Sequence, residues 1–319
     1  MRIAIVGKGG SGKTTISALL TSYLAKQGKC PLLIDADLNI HQPALFLPSG
    51  HFPKSKWLSD PQNTTTIKTY LKGNNSRITS LMSFRKTTPP ARGSQLFLAK
   101  DGNHIFYRDF SEQGNGVNLM VVGTYTPEGI GASCYHNNLA TLENILTHTD
   151  DRESFIIVDM VAGTDAFAGS LHAQFDLVII AVEPTKKGVE VWNQYAALSQ
   201  QAGVYHELVA IGNKCLDQDD ISFLQENIPA DKLIGTLTVS AYLRELERQE
   251  TLIDFDRLED EHKALFDKIL QIGFQFAKSP QERLNILYNL HKKYVAQDFI
   301  VQRFGDLNEQ VDSDFTFPS

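Results

Sequence analysis

Residues Gly7-Lys8-Gly9-Gly10-Ser11-Gly12-Lys13-Thr14 satisfy a G-x-x-x-x-G-K-[ST] spacing, directly after the apolar run Ile3-Ala4-Ile5-Val6 and at the start of a helical pattern. The chemistry of such a loop is phosphate binding. Glycines let successive backbone N–H groups turn inward, the helix N-terminus adds positive partial charge, Lys13 reaches the β- and γ-phosphates, and the Thr14 hydroxyl suits Mg²⁺. Carboxylates stand at two other places where a cation and a water could be managed. Asp35 and Asp37 close the run Leu32-Leu33-Ile34, and Asp159 closes Phe155-Ile156-Ile157-Val158, where it reads as a holder of the Mg²⁺ water shell. A further pair, Cys134 and His136, offers Zn²⁺- or Ni²⁺-competent ligands two residues apart, half of a tetrahedral set; the alternative is a helix-capping segment with a buried thiol.

These residues need a scaffold that brings them to one edge. Short β-branched runs alternate with helical periodicity from residue 1 to about 250, the pattern of an α/β domain with a mostly parallel sheet covered by helices on both faces. The predicted strands are Arg2–Val6, Pro31–Ile34, Leu119–Val122, Phe155–Val158, Leu177–Val182, Glu207–Ile211 and Leu233–Thr236. A first helix is predicted from Lys13, with Ile16, Leu19, Leu20, Tyr23 and Leu24 on one face and Gly28 as the stop. Residues 1–254 then form the main domain, 48–118 an insertion within it, and 255–319 a helical extension. The insertion should hold a short helix around Thr64–Leu71 and a hairpin from Leu96 to Tyr107. The extension should hold two amphipathic helices packed on the parent domain or a second subunit, followed by an acidic, frayed end.

The chain has 319 residues, 42% of them hydrophobic, and a net charge of −7 from 30 basic and 37 acidic residues. That balance argues against nucleic-acid binding by bulk electrostatics. The insertion is different: it carries ten Lys/Arg against four Asp/Glu, a local +6 that leaves −13 for the rest. No run of eighteen apolar residues and no secretory pattern is present, so a cytoplasmic location is expected. Three cysteines, Cys30, Cys134 and Cys215, are too few and too scattered for a disulfide framework.

With Lys8 inside the loop, the run Lys-Gly-Gly-x-Gly-Lys-Thr-Thr resembles the deviant Walker A of the MinD/ParA, nitrogenase iron protein and ArsA group of P-loop ATPases. The resemblance implies a homodimer sandwiching two nucleotides, with Lys8 reaching the partner's phosphates. It makes Lys8, Lys13 and Asp37 the catalytic candidates, Asp37 aligning with the aspartate that positions or activates the attacking water. Gly7, Gly9, Gly10, Ser11, Gly12, Lys13, Thr14 and Thr15 would hold the nucleotide, and Thr14, Asp35 and Asp159 the Mg²⁺ or its water shell. The usual proline after the second aspartate is Leu38 here. Asn213-Lys214 matches the element with which relatives recognise adenine, and Gly235–Ser240 occupies the place of the loop that cups the base.

Val158-Asp159-Met160-Val161-Ala162-Gly163-Thr164-Asp165 is similar to the switch II of CooC-type ATPases, which assist nickel insertion into carbon monoxide dehydrogenase. Val161 and Ala166 stand where that family tends to carry Glu and His. CooC-type proteins have Cys-x-Cys where this chain has Cys134 and His136, and a two-fold dimer would supply two of each. A four-iron cluster would need two cysteines per subunit, and switch II has none. The resemblance covers about residues 1–45 and 119–250.

The reading that follows is an ATP-binding and ATP-hydrolysing dimeric switch that assists metal insertion into, or maturation of, a client metalloprotein. A second reading is a MinD/ParA-like positioning or partition ATPase whose ATP state binds membrane, DNA or a protein client. A third is a nucleotide-sensing regulatory subunit with very slow turnover. The extension carries no basic amphipathic helix, so the basic insertion is the candidate face for the second reading.

Overall fold

Leu, Ile and Val alternate with each other through the central strands with no polar face, so each strand needs cover on both sides. The computed structural model describes residues 1–124, 136–164, 167, 169–249 and 251–318, leaving aside the side chains of 136 and 137. Its strands are β1 (Arg2–Gly7), β2 (Leu32–Ala36), β3 (Phe97–Leu98), β4 (Glu112–Gly114), β5 (Val117–Val121), β6 (Thr149–Asp150), β7 (Ile156–Met160), β8 (Leu177–Val182), β9 (Leu208–Cys215) and β10 (Leu233–Thr238). Among the described residues the main sheet has eight strands in the order β10-β9-β8-β1-β7-β2-β5-β4. Every neighbouring pair is parallel except β4–β5, which closes one edge as an antiparallel hairpin.

Helices α1 (Lys13–Lys26), α2 (Gln42–Phe46), α3 (Pro61–Lys72), α4 (Ile105–Phe110), α5 (His136–Thr147), α6 (Lys186–Ala202), α7 (Gln218–Asn227), α8 (Ala241–Glu247), α9 (Asp260–Phe276), α10 (Pro280–Val295) and α11 (Asp298–Phe304) complete the fold. The period of two along β1 divides the core. Ile3 and Ile5 face a layer built from α1, α8 and α9 through Leu19, Leu20, Leu24, Leu243, Phe266 and Ile269. Ala4 and Val6 face the other layer, formed by α5, α6, α7 and the insertion through Leu142, Ile145, Trp192, Leu224, Phe84 and Phe97. Helix α9 of the extension is therefore part of the cover of the sheet; a Cβ at Gly235 of β10 would lie 2.7 Å from Leu265 Cδ1.

Two expectations are corrected. Leu96 to Tyr107 is not a hairpin: β3 pairs in parallel with β6, and residues 105–110 are helical. Phe106, Tyr107 and Phe110 are spaced to share a helix face, and the Phe97 ring sits 5.2 Å from both Phe106 and Tyr107, so aromatic packing overrides alternation. His104 caps this helix, its Nδ1 accepting the Phe106 N–H at 3.2 Å.

The acidic end is not frayed. Asp312 is buried and accepts from Arg92 Nε at 2.9 Å and Arg77 Nη2 at 3.4 Å, while the Tyr288 hydroxyl donates to its carbonyl at 2.7 Å. Phe315 packs with Leu96, Leu284 and Tyr288. The insertion's positive charge is met by the tail of its own chain, which is why an acidic terminus orders here. Arg85 and Lys86 add to this, lying over the Phe304 and Tyr294 rings at 4.2 and 5.4 Å.

At the edge where the strands begin, Arg2 and Arg283 are both buried with Asp151 and Asp176. Arg2 Nε and Arg283 Nη1 each donate to Asp151 at 3.1 Å, and Arg283 Nη2 donates to Asp176 at 2.8 Å. Burial pushes the Asp151 carboxyl up, but Arg2, Arg283 and the terminal ammonium outweigh it and hold it well below the usual range. A depressed carboxylate contributes stability that is present above its unfolded pKa and lost only as pH falls through the folded value. The cluster therefore keeps its strength through mildly acidic pH. Arg283→Met leaves buried carboxylates short of a cation and is expected to cost about 3–5 kcal/mol in urea denaturation. Arg108→Ala, whose ion pair is with exposed-side neighbour Asp109, should leave the midpoint unchanged.

Candidate functional site

The phosphate-loop residues sit between β1 and α1, at the edge where the parallel strands end. Gly12 has φ +91 and lies against Asn213, so that a Cβ there would come within 2.0 Å of the Asn213 amide nitrogen; only glycine fits. Gly12 also caps α1 without a side-chain hydrogen bond, which leaves the first N–H groups of the helix free to face a ligand. These residues line a cleft of about 360 Å³ whose walls include Gly9, Gly10, Gly12, Lys13, Thr14 and Thr15, with Asp37, Asn39 and His41 opposite. Lys13 is buried; its Nζ lies 3.4 Å from the Lys8 carbonyl and 3.6 Å from Asp37 Oδ2. Gly7 is pressed against β8, where a Cβ would meet the Ala181 carbonyl at 2.8 Å, and Ser11 supplies the carbonyl that Asn213 binds.

Asp35 and Asp159 are register partners on β2 and β7 and both are buried. Asp35 accepts the backbone N–H groups of Asp37, His41 and Gln42 at 3.2, 3.0 and 3.0 Å, so it shapes the turn after β2 with both oxygens engaged. The residue lies beneath the cleft beside Asp159 and gathers those N–H groups into the turn that carries Asp37. Burial and the neighbouring Asp159 push the Asp35 carboxyl well above the usual range, against the pull of the three backbone donors. Asp159 accepts from Gln42 Nε2 at 2.8 Å through Oδ2, and its Oδ1 is buried with no hydrogen-bond partner. Burial raises its carboxyl to about 6, restrained by Gln42, Lys13 and Thr14. Asp37 lines the cleft and accepts the Asn39 N–H at 3.0 Å, leaving Oδ2 toward Lys13.

The oxygens left over decide whether a cation fits. Asp159 Oδ1 and Gln42 Oε1 are buried acceptors without donors, and Thr14 stands beside them at the head of α1. A hard-oxygen set of this kind suits Mg²⁺. Among the described residues no group of three or more His, Cys, Asp and Glu side chains has the arrangement of a metal site. Cys134 lies outside the described residues; His136 opens α5, and its side chain lies outside them as well. The switch II residues Asp165 and Ala166 are likewise outside.

Lys8 Nζ lies 3.6 Å from Glu183 Oε2 at the end of β8, so the extra loop lysine is engaged within its own chain. Asn213 Nδ2 donates to the Ser11 carbonyl at 2.8 Å, tying β9 to the phosphate loop. Lys214 has φ +62 and pairs with Glu247 Oε1 at 2.9 Å. Together with Thr15, Thr238, Val239, Leu243 and Glu247 these two residues line a recess of about 220 Å³ adjoining the cleft. Gln42, Glu247 and Gln249 belong to the site without any motif to announce them. The only sequence signal for Gln42 is a polar residue at the head of a short apolar helix behind Asp35 and Asp37.

Comparison with known proteins places this geometry among relatives. Residues 3–297 match the family model described as the CobQ/CobB/MinD/ParA nucleotide binding domain. The carbon monoxide dehydrogenase accessory protein CooC of Rhodospirillum rubrum is 26% identical over 248 residues, 74% of this chain and 83% of CooC. An uncharacterized ATP-binding protein of Methanocaldococcus jannaschii is 28% identical over 253 residues, 79% of this chain and 89% of the relative. Among solved structures, a ParA family ATPase from Chlorobium tepidum TLS superposes with a TM-score of 0.54 at 15% identity, covering 84% of this chain and 98% of that one. The cell division ATPase MinD of Pyrococcus furiosus gives 0.52 at 18% identity, covering 86% and 99%.

The raised Asp159 carboxyl has a defined sign. Its folded pKa of about 6 exceeds the ordinary value of 3.8, so the metal-free fold binds more protons than the unfolded chain between them and loses stability as pH rises through that window. Asp35, raised beside it, titrates as its coupled partner, so Asp159→Asn should flatten this slope by removing one carboxyl and relieving the other, in urea denaturation of the metal-free protein from about pH 4.5 to 7.5.

Proposed function

Because the chain belongs to the CobQ/CobB/MinD/ParA nucleotide-binding family, we propose that it is an ATP-hydrolysing switch that closes as a homodimer and assists metal insertion into a client metalloprotein. One observation carries the reading: the phosphate loop, Lys13, Thr14 and Asp37 converge on a single cleft at the edge where the parallel strands end, with the Asp159 carboxylate buried beneath it. The free N–H groups at the head of α1 and the Lys13 ammonium would hold the phosphates, and the recess beside Asn213 and Lys214 would take the base. Thr14 and Asp159 would hold Mg²⁺, which supplies charge neutralisation on the phosphates when bound. Asp37 would orient a water and accept its proton, a role supported by its Oδ2 lying 3.6 Å from Lys13 Nζ in the cleft wall.

Lys8 would act across the dimer, where a cation supplied by the partner stabilises charge that develops on the phosphates. To do so it must leave Glu183. That exchange couples closure to the site, because the half-exposed pair is weak and a phosphate is the stronger partner. The CooC-like role rests on the likeness to CooC and on Cys134 and His136, whose paired copies would give Zn²⁺ or Ni²⁺ four ligands as cargo. A role on DNA or membrane has less to stand on, since Arg77 and Arg92 of the basic insertion are engaged by Asp312.

Lys13→Ala should abolish tight MgATP binding, whereas Lys8→Ala should keep ATP affinity within about threefold and lose turnover by at least about 10²-fold, as removal of a trans cation does elsewhere. Phosphate release and a fluorescent ATP analogue measure the two; unchanged turnover in Lys8→Ala would sink the trans mechanism. Asp37→Asn should accumulate the ATP dimer on size exclusion. Incubated with Zn²⁺ or Ni²⁺, that dimer should hold about one metal by elemental analysis, lost when Cys134→Ser and His136→Ala are combined; a metal-free dimer would remove the CooC-like role.

A further inference from the structure

Gln42 is the first residue of α2 and has no exposed surface. Its backbone N–H is held by Asp35 Oδ2 at 3.0 Å. Its side-chain Nε2 lies 3.2 Å from the Thr14 carbonyl, 2.7 Å from Ser17 Oγ and 2.8 Å from Asp159 Oδ2. A carbonyl and a carboxylate can only accept, so the nitrogen of the amide must be the atom that faces them. The oxygen then has no choice of partner among protein donors: Gln42 Oε1 is buried and unpaired, as is Asp159 Oδ1. One side chain thus joins the loop after β2, the first turn of α1 and the carboxylate at the end of β7, and it leaves two bare acceptors in the interior. A buried acceptor with no donor is costly, and two of them on hydrogen-bonded neighbours suit a shared positive charge.

We propose that Gln42 is a positioning residue of the Mg²⁺ site: its N–H group fixes the Asp159 carboxylate and its Oε1 adds a neutral oxygen to the cation's ligand and water shell. The proposal rests on the reading of the cleft as a MgATP site. It gives the turn after β2 a direct stake in the cation, because the same residue hangs by its backbone from Asp35 and by its side chain from Asp159. Outer partners that fix a ligating carboxylate typically change metal affinity by about 10–100-fold when removed.

The test uses the full chain with the non-hydrolysable analogue AMPPNP and Mn²⁺ as the probe, free Mn²⁺ being read by its EPR signal. Gln42→Met keeps the volume and removes both polar atoms; it should weaken Mn²⁺ binding to the AMPPNP complex at least about tenfold, with AMPPNP affinity in EDTA unchanged. Gln42→Glu loses the N–H bond to Asp159 but sets a charged oxygen on the cation, a stronger contact than the amide bond it replaces, so it should retain or tighten Mn²⁺ binding and widen the gain in melting temperature that Mn²⁺ gives. Wild-type Mn²⁺ affinity in Gln42→Met, or an equal loss in both variants, overturns the proposal. Should Gln42→Met not fold, Gln42→Glu carries the test through the same two readouts. Failure of the wild type to bind Mn²⁺ with AMPPNP would overturn the cleft reading itself, a result distinct from binding that ignores Gln42.

Discussion

Two carboxylates on adjacent parallel strands, Asp35 and Asp159, are forced to share a dry interior, and the surroundings of the site follow from how that repulsion is managed. In water the pair would ionise independently; buried side by side, each raises the cost of charging the other. The chain answers differently on the two sides. Around Asp35 it bends the backbone so that N–H groups of Asp37, His41 and Gln42 converge, which neutralises the charge with dipoles and fixes the turn that carries Asp37 to the cleft. Around Asp159 it supplies one amide and leaves one oxygen bare. The difference separates a carboxylate that builds a loop from one that can accept a cation.

The two edges of the sheet are opposites in this respect. Where the strands begin, Arg2 and Arg283 meet Asp151 and Asp176 in a dense network in which Arg283 Nε is left without a partner, and Arg2 also donates to the Leu146 and Thr149 carbonyls and to Gln174. Where they end, Ser11 Oγ, Gln42 Oε1 and Asp159 Oδ1 are buried with no protein partner. Completed polar networks hold a fold together, and incomplete ones wait for a ligand. The open edge is the one toward which the glycine loop and α1 point.

Strong local patterns made the scaffold readable. β-branched runs bounded by glycine or aspartate gave the seven parallel strands to within a few residues, and Gly12 and Lys13 set the start of α1. Weak or non-local determinants misled. Leu96 to Tyr107 alternates like a hairpin, yet Phe97 finds its ladder partner in Thr149, about fifty residues on. The acidic end looked frayed because its partners, Arg77 and Arg92, lie more than two hundred residues away. In the site, the spacing brings Lys13, Thr14 and Asp37 to one cleft and Asp159 beneath it. The backbone bonds of Asp35 were not legible, since a carboxylate at a strand end reads the same whether it faces solvent or its own backbone. Gln42 had no pattern at all; only the folded chain shows what its amide touches.

The contact between Asp312 and Arg92 spans 220 residues. A ribosome lays down the basic insertion long before it reaches the carboxylate that will neutralise it. Until then ten lysines and arginines travel with four acidic neighbours, beside apolar groups such as Leu96 whose cover, Phe315 and Tyr288, has not been made. β1 and β2 also wait, since each finds its neighbour in β7, made after the insertion. The insertion finishes last, its cations and its apolar groups covered only when the final residues of the chain arrive.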